Sequence, residues 1–167
     1  SVAAPGSTFN YSTVETELVG KILAKVTGKS VSAYMAETIW RPAGMEALGY
    51  WMLQGPSGRQ HEWYGAGFAA TMRDFARLGQ LMLDDGRANG RQIVPKAWVD
   101  ASTRSDSDKR YFYFWWGVQG VDGFEANGFG SQHVYVDRKT RTVMVVVSYG
   151  GPPGSADLFR SVLKQLG

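Results

Sequence analysis

The sequence predicts an α+β fold, helices first and an antiparallel sheet later. Three observations carry the prediction. Apolar residues recur at helical spacing over 14–26, 31–39 and 75–82. From Tyr111 onward the pattern changes to aromatic and β-branched runs parted by short turns. With 44% apolar and 20% charged side chains, the 167 residues have the composition of a chain that folds around one core.

The opening ten residues are small and turn-rich around Pro5-Gly6. Ser12 and Glu15 then read as a capping box, each side chain satisfying the other's orphan amide. Val14, Leu18, Ile22 and Val26 form the apolar stripe behind it, Glu17 and Lys21 pair at i,i+4 on the outer side, and Gly28 ends the helix. A second helix covers 31–40 and stops before Pro42, which prevents its continuation and biases Arg41 out of the helical region. Residues 44–70, rich in glycine and aromatics, read as a loop with one or two short strands. Thr71 and Asp74 cap a third helix carried by Phe75, Leu78 and Met82 and closed near Asp85-Gly86. Asn89-Gly90 marks a tight turn, Pro95 opens a short helix through Val99, and 102–110 reads as a solvated loop. The aromatic run 111–116 reads as one strand covered on both faces. Strands at 134–136 and 142–147 are joined by a turn over 137–140, and a last helix puts Leu158, Val162 and Leu166 on one side.

Composition excludes several classes of function. Without cysteine there is no disulfide, zinc ribbon or thiol nucleophile. A net charge of +3, dispersed along the chain, does not point to a nucleic-acid partner. No apolar run approaches the ~20 residues of a membrane span. His61 and His133 lack metal-ligand spacing, and the Gly65-Ala66-Gly67 and Gly128-Phe129-Gly130 patterns lack the third glycine and strand-to-helix context of a dinucleotide site, so no cofactor is implied. Ser161 and Lys164 match the S-x-x-K signature of penicillin-recognising enzymes. They lie on the polar face of what reads as a surface helix, and a solvated face is the better account. Tyr11 stands immediately before a helix N-terminus. The helix dipole favours a phenolate there by about 1 kcal/mol at most. Ionising a tyrosine near neutrality takes about 4 kcal/mol, so a neighbouring cation would have to supply the rest. Taken alone, Tyr11 is better read as a ring packed against the helix it precedes.

The string Pro5-Gly6-x-x-Phe9-x-Tyr11-Ser12, then Val26-Thr27-Gly28-Lys29-Ser30 and Arg41-Pro42-Ala43-Gly44-Met45, resembles the β-lactamase-like serine hydrolases. That superfamily holds class C β-lactamases, D,D-peptidases, esterases and the 6-aminohexanoate-dimer hydrolases. Gly65-Ala66-Gly67-Phe68 with 71–79 resembles its glycine turn and following helix, and 130–137 with 143–147 its final hairpin. Trp115-Trp116 points toward the aminohexanoate-oligomer hydrolase and carboxylesterase branch. The resemblance runs from Pro5 to Tyr149.

By this resemblance the fold is β-lactamase/transpeptidase-like, and Tyr11 is the tyrosine of the Y-x-N motif, which relays protons between nucleophile and leaving group. Thr13 stands where that motif has asparagine. Asn127-Gly128-Phe129 stands where the family has K-T-G, and the absent lysine implies an uncharged ester or amide as substrate in place of a carboxylate-bearing lactam. The Phe129 N–H becomes one arm of the oxyanion hole, with Asn127, Gly128 and Gly130 beside the substrate. The family's nucleophilic Ser-x-x-Lys precedes the tyrosine motif and is not found here, nor are the strands expected beside the hairpin 133–148. The chain is therefore expected to be one domain, the C-terminal part of such a hydrolase, whose partners are a small-molecule ester or amide and the missing N-terminal half, or a second copy. A non-catalytic fold module used for binding and an unrelated α+β binding domain remain as alternatives. Cytoplasm and periplasm are both compatible with the sequence.

Overall fold

The computed structural model describes residues 4, 7–104, 111–150 and 155–166; Pro5-Gly6 of the opening motif and the 105–110 part of the expected loop lie outside them. The chain divides into two compact units, Ser1–Tyr34 with Tyr50–Phe68, and Met35–Gly49 with Ala69–Gly167.

The first unit is built on α1 (Thr13–Thr27), ended as expected by Gly28 in the left-handed region with its N–H on the Ala24 carbonyl at 3.0 Å. Two expectations fail here. The Ser12 hydroxyl makes no cap bond. The apolar stripe lies open, with Val14 77% and Val26 78% exposed. The side of α1 that is buried carries Gly20, where a Cβ would meet the Tyr64 ring at 2.1 Å. The helix 31–40 starts as α2 (Val31–Met35), and the chain passes into the second unit as a π-helical turn, Ala36–Trp40. Arg41 itself keeps helical angles, φ −66° and ψ −48°, with its N–H on the Ala36 carbonyl, so the expectation that Pro42 turns it out of the helical region is corrected. In place of one or two short strands, 44–70 holds four: β1 (Tyr50–Trp51), β2 (Leu53–Gln54), β3 (His61–Glu62) and β4 (Phe68–Ala69), with β2 and β3 antiparallel.

The second unit holds the core. Thr71 caps α3 (Met72–Leu83), its hydroxyl accepting from the Asp74 N–H at 3.1 Å. Asn89-Gly90 turns the hairpin of β5 (Arg87–Ala88) and β6 (Arg91–Gln92). α4 (Lys96–Thr103) runs one turn past Val99, because Ser102 and Thr103 bury their hydroxyls on the Val99 carbonyl; they are not loop residues. The aromatic run is not one strand. It folds back as β7 (Tyr111–Phe112) and β8 (Trp115–Gly117). β9 (Gly123–Gly128), β10 (Gln132–Asp137) and β11 (Thr142–Val146) complete an antiparallel sheet of order β11-β10-β9-β8-β7. β9 escapes a periodicity reading because Gly-Phe-Glu-Ala-Asn-Gly neither alternates nor is apolar. The turn after β10 forms as expected, with the Asp137 carboxylate accepting from the Thr140 N–H at 2.7 Å.

Both sheet faces are covered. On one, Met82, Leu83 and Val99 pack with Phe124 and Val136; on the other, Val118 and Tyr135 pack with Phe159. Phe159 belongs to α5 (Ser155–Leu166), whose inward residues are Ala156, Phe159 and Leu163, while the expected Leu158 and Leu166 are exposed. α3 reaches the sheet through Gly79, where a Cβ would stand 2.7 Å from Val143 Cγ1 and 2.9 Å from Val134 Cγ1. Gly79→Ala should therefore lower the urea midpoint. The overpacking costs ~1–3 kcal/mol and outweighs a helix-propensity gain of about 1 kcal/mol. An unchanged or higher midpoint would show that helix and sheet are not in close contact.

Candidate active site

In the first unit, Tyr11 is 59% exposed and precedes α1 by two residues. Thr13 opens that helix, and its methyl stands so close to Gly65 that a Cβ there would lie 2.3 Å from Thr13 Cγ2. One turn on, the Glu17 carboxylate accepts the Gly65 N–H at 2.8 Å and the Gln54 amide at 2.6 Å. Glu17 is thus turned toward the 54–65 segment instead of pairing with Lys21 at the surface as expected. The fastening needs glycine at 65 and a carboxylate one turn into the helix. The glycine turn is legible in the sequence; its partner, 48 residues away, is not. Glu62 fixes the next segment, accepting the Ser32 N–H at 3.1 Å and hydroxyl at 2.6 Å. Burial pushes the Glu62 carboxyl up, but these bonds and the Tyr64 hydroxyl outweigh it and hold it below the usual range. Burial and the Glu62 charge together raise Tyr64 above an ordinary phenol.

In the second unit, Asn127 and Gly128 end β9, facing His133 and Gln132 of β10. Phe129 projects wholly into solvent, and Gly130 and Ser131 make the return with φ of 80° and 66°. Gln132 sets this turn in place. Its amide nitrogen donates to the Gly130 carbonyl at 3.3 Å and to the Ser148 carbonyl, while its carbonyl accepts the Ser148 N–H at 3.3 Å. Below the turn, the buried His133 and the half-buried Glu125 are joined at 2.7 Å, and His133 stacks on Tyr135. Tyr11 and Thr13 thus share one unit, and Asn127, Gly128, Phe129 and Gly130 share the other. Ser161 and Lys164 stand exposed on α5, the solvated face expected of them. Among the described residues no helix is long and apolar enough to cross a membrane, and no group of three potential metal ligands occurs.

The family profile described as Beta-lactamase matches residues 2–166. The chain belongs to the beta-lactamase family. The 6-aminohexanoate-dimer hydrolase of Paenarthrobacter ureafaciens is 24% identical over 164 residues, covering 84% of this chain and 39% of that protein. A solved structure from Bacillus anthracis, assigned as a 6-aminohexanoate-dimer hydrolase, superposes with a TM-score of 0.82 at 31% identity, covering 99% of this chain and 44% of that one. A Bacteroides dorei structure assigned as a beta-lactamase shares the fold, with a TM-score of 0.75 at 17% identity, covering 98% of this chain and 60% of that one. This beta-lactamase-family chain therefore spans less than half the length of the curated relative it matches. Its α+β architecture, an antiparallel sheet between helices, is that of the corresponding part of these folds.

Proposed function

We propose that this chain is the C-terminal portion of a serine hydrolase that cleaves an uncharged ester or amide through an acyl-enzyme. The family match along nearly the whole chain, with a named hydrolase among the relatives, carries the reading. In this reading a Ser-x-x-Lys outside the chain supplies the nucleophile, and its lysine provides the cation that Tyr11 needs to move a proton. Tyr11 passes that proton to the leaving group. The N–H of the exposed Phe129 serves as one oxyanion donor, an interaction worth roughly 2.7–4 kcal/mol. Thr13, Asn127, Gly128 and Gly130 border the substrate, and Gln132 keeps the donor-bearing turn in place. No cofactor is required.

Two surfaces support a partner segment. The stripe Val14, Leu18, Ile22 and Val26 is exposed, and β11 is the outermost strand at its side of the sheet. The remaining portion of the hydrolase covers both. These surfaces equally fit the second reading, a binding module without chemistry, and labelling separates the two. After incubation with a fluorophosphonate, intact-mass measurement should find no adduct on the 167-residue chain. The chain reassembled with the segment bearing Ser-x-x-Lys should carry one, on that segment's serine. No adduct in the reassembled protein favours the binding module. An adduct on Ser161 of the chain alone overturns both readings.

A further inference from the structure

The hairpin of β7 and β8 turns through two residues, because Phe112 pairs with Trp115 and Tyr111 with Trp116. Those residues, Tyr113 and Phe114, have φ of 45° and 76°. Such turns are ordinarily Asn-Gly, since a Cβ crowds the neighbouring carbonyl in this backbone region. The chain uses that solution at Asn89-Gly90, with φ of 50° and 72°. At 113–114 it places two bulky rings instead. Burial does not account for them, because Tyr113 is 56% and Phe114 50% exposed. Strained residues of this kind cluster at active sites and ligand clamps.

The register shows which site. Trp116 pairs with Glu125, so the turn lies at the sheet end where β9 finishes at Asn127-Gly128, β10 begins at Gln132 and β11 ends at Val146. Phe129 and Tyr149 are fully exposed at this same end, and Trp98 meets the Tyr113 ring at 4.8 Å. None of residues 111–118, 126–132 or 143–150 carries a charge. We infer that the aromatic end of the sheet, with Tyr113 and Phe114 at its tip, is a binding subsite for an uncharged aryl group of a small-molecule ligand. Ring faces offer offset or edge contacts to an aryl group, no charged residue lies within these segments, and the Arg104 guanidinium beside the hairpin is engaged over the buried Phe112 ring at 4.5 Å. As a substrate subsite it rests on the hydrolase reading above; as a ring-binding surface of this chain it does not.

The test is the double substitution Tyr113→Asn/Phe114→Gly, which installs the turn already present at 89–90. Thermal unfolding and ligand-observed NMR titration with benzamide are measured on both proteins, with benzoate and cyclohexanecarboxamide as controls. The unsubstituted chain should prefer benzamide to both controls. The variant should melt higher, as expected on relief of the positive-φ strain, and bind benzamide about tenfold more weakly. A lower melting temperature would mean that the rings support the fold and would overturn the inference, as would unchanged benzamide affinity in a more stable variant. Equal binding of benzamide and cyclohexanecarboxamide by the unsubstituted chain overturns it without any variant. Loss of the fluorophosphonate adduct would sink the hydrolase reading and leave this binding result standing.

Discussion

A reassembled hydrolase carrying Tyr11→Phe should turn over its ester substrate about 10²–10⁴-fold more slowly than the parent, with folding stability nearly unchanged. The magnitude is that of removing a positioned proton-transfer group. The unchanged stability follows from the surroundings of Tyr11. It is more than half exposed, and the start of α1 is held by Glu17 on Gly65 and Gln54. Exposed substitutions of this kind shift stability by about 0.5 kcal/mol or less. The loss should fall on kcat and on kcat/KM alike, because the interaction belongs to the transition state. Thr13→Ala removes a hydroxyl placed beside the substrate in the hydrolase reading, together with the methyl that stands against Gly65, and should cost turnover less than Tyr11→Phe. Turnover is measured on one ester and one amide. Full activity of Tyr11→Phe on both would return Tyr11 to a packing residue ahead of a helix.

Asp74→Ala should destabilise the second unit by roughly 2–6 kcal/mol at neutral pH. The Asp74 side chain is fully buried at the start of α3. One oxygen accepts the Glu46 N–H at 2.8 Å, and Arg77 stands 3.3 Å from it. The other accepts the Ala47 N–H at 3.1 Å and the Thr71 hydroxyl at 2.8 Å. Removing the carboxylate strips two backbone amides of their acceptor, at ~1–3 kcal/mol for each donor left unmade. The effect depends on pH. Burial pushes the carboxyl up, but the bonds from Glu46, Thr71 and Ala47 and the Arg77 charge outweigh it and hold it below an ordinary aspartate. A carboxyl lowered in the folded state contributes stability above its unfolded pKa, near 4, and loses it as the pH falls through the folded value. The gap between parent and Asp74→Ala in urea unfolding should thus be widest from about pH 5 upward and shrink below about pH 4. Asp74→Asn keeps one acceptor and should fall between the two. A gap constant from pH 3 to 7 would show that the ionised carboxylate is not what joins α3 to residues 46–47.

Local patterns carried much of this protein. The spacing over 14–26 and 72–83 was enough for α1 and α3, Gly28 and Asn89-Gly90 for their stops and turns, and Thr71 with Asp74 for a cap that forms as expected. These features depend on residues within four positions of one another, and their physics is readable along the chain. The ordered motifs from Tyr11 to the final hairpin pointed to the family that the profile match then showed.

Only the tertiary structure decided the rest, because it turns on partners distant in sequence. Periodicity shows that a helix is amphipathic and does not say what covers it, so the α1 stripe is exposed while Gly20 meets Tyr64. The inward face of α5 is centred on Phe159 because Tyr135 of β10 receives that ring at 4.7 Å, which no spacing within the helix could reveal. An unbroken aromatic run fits a buried strand and a tight hairpin equally well. The pairing of Tyr111 with Trp116 resolves it, and in doing so sets two strained rings beside the turn that ends β9. Glu17 reads as a surface charge until Gly65, 48 residues on, supplies its amide hydrogen. Likewise, Asp74 belongs to a capping sequence locally, and its burial beneath residues 46–47 exists only in the folded chain.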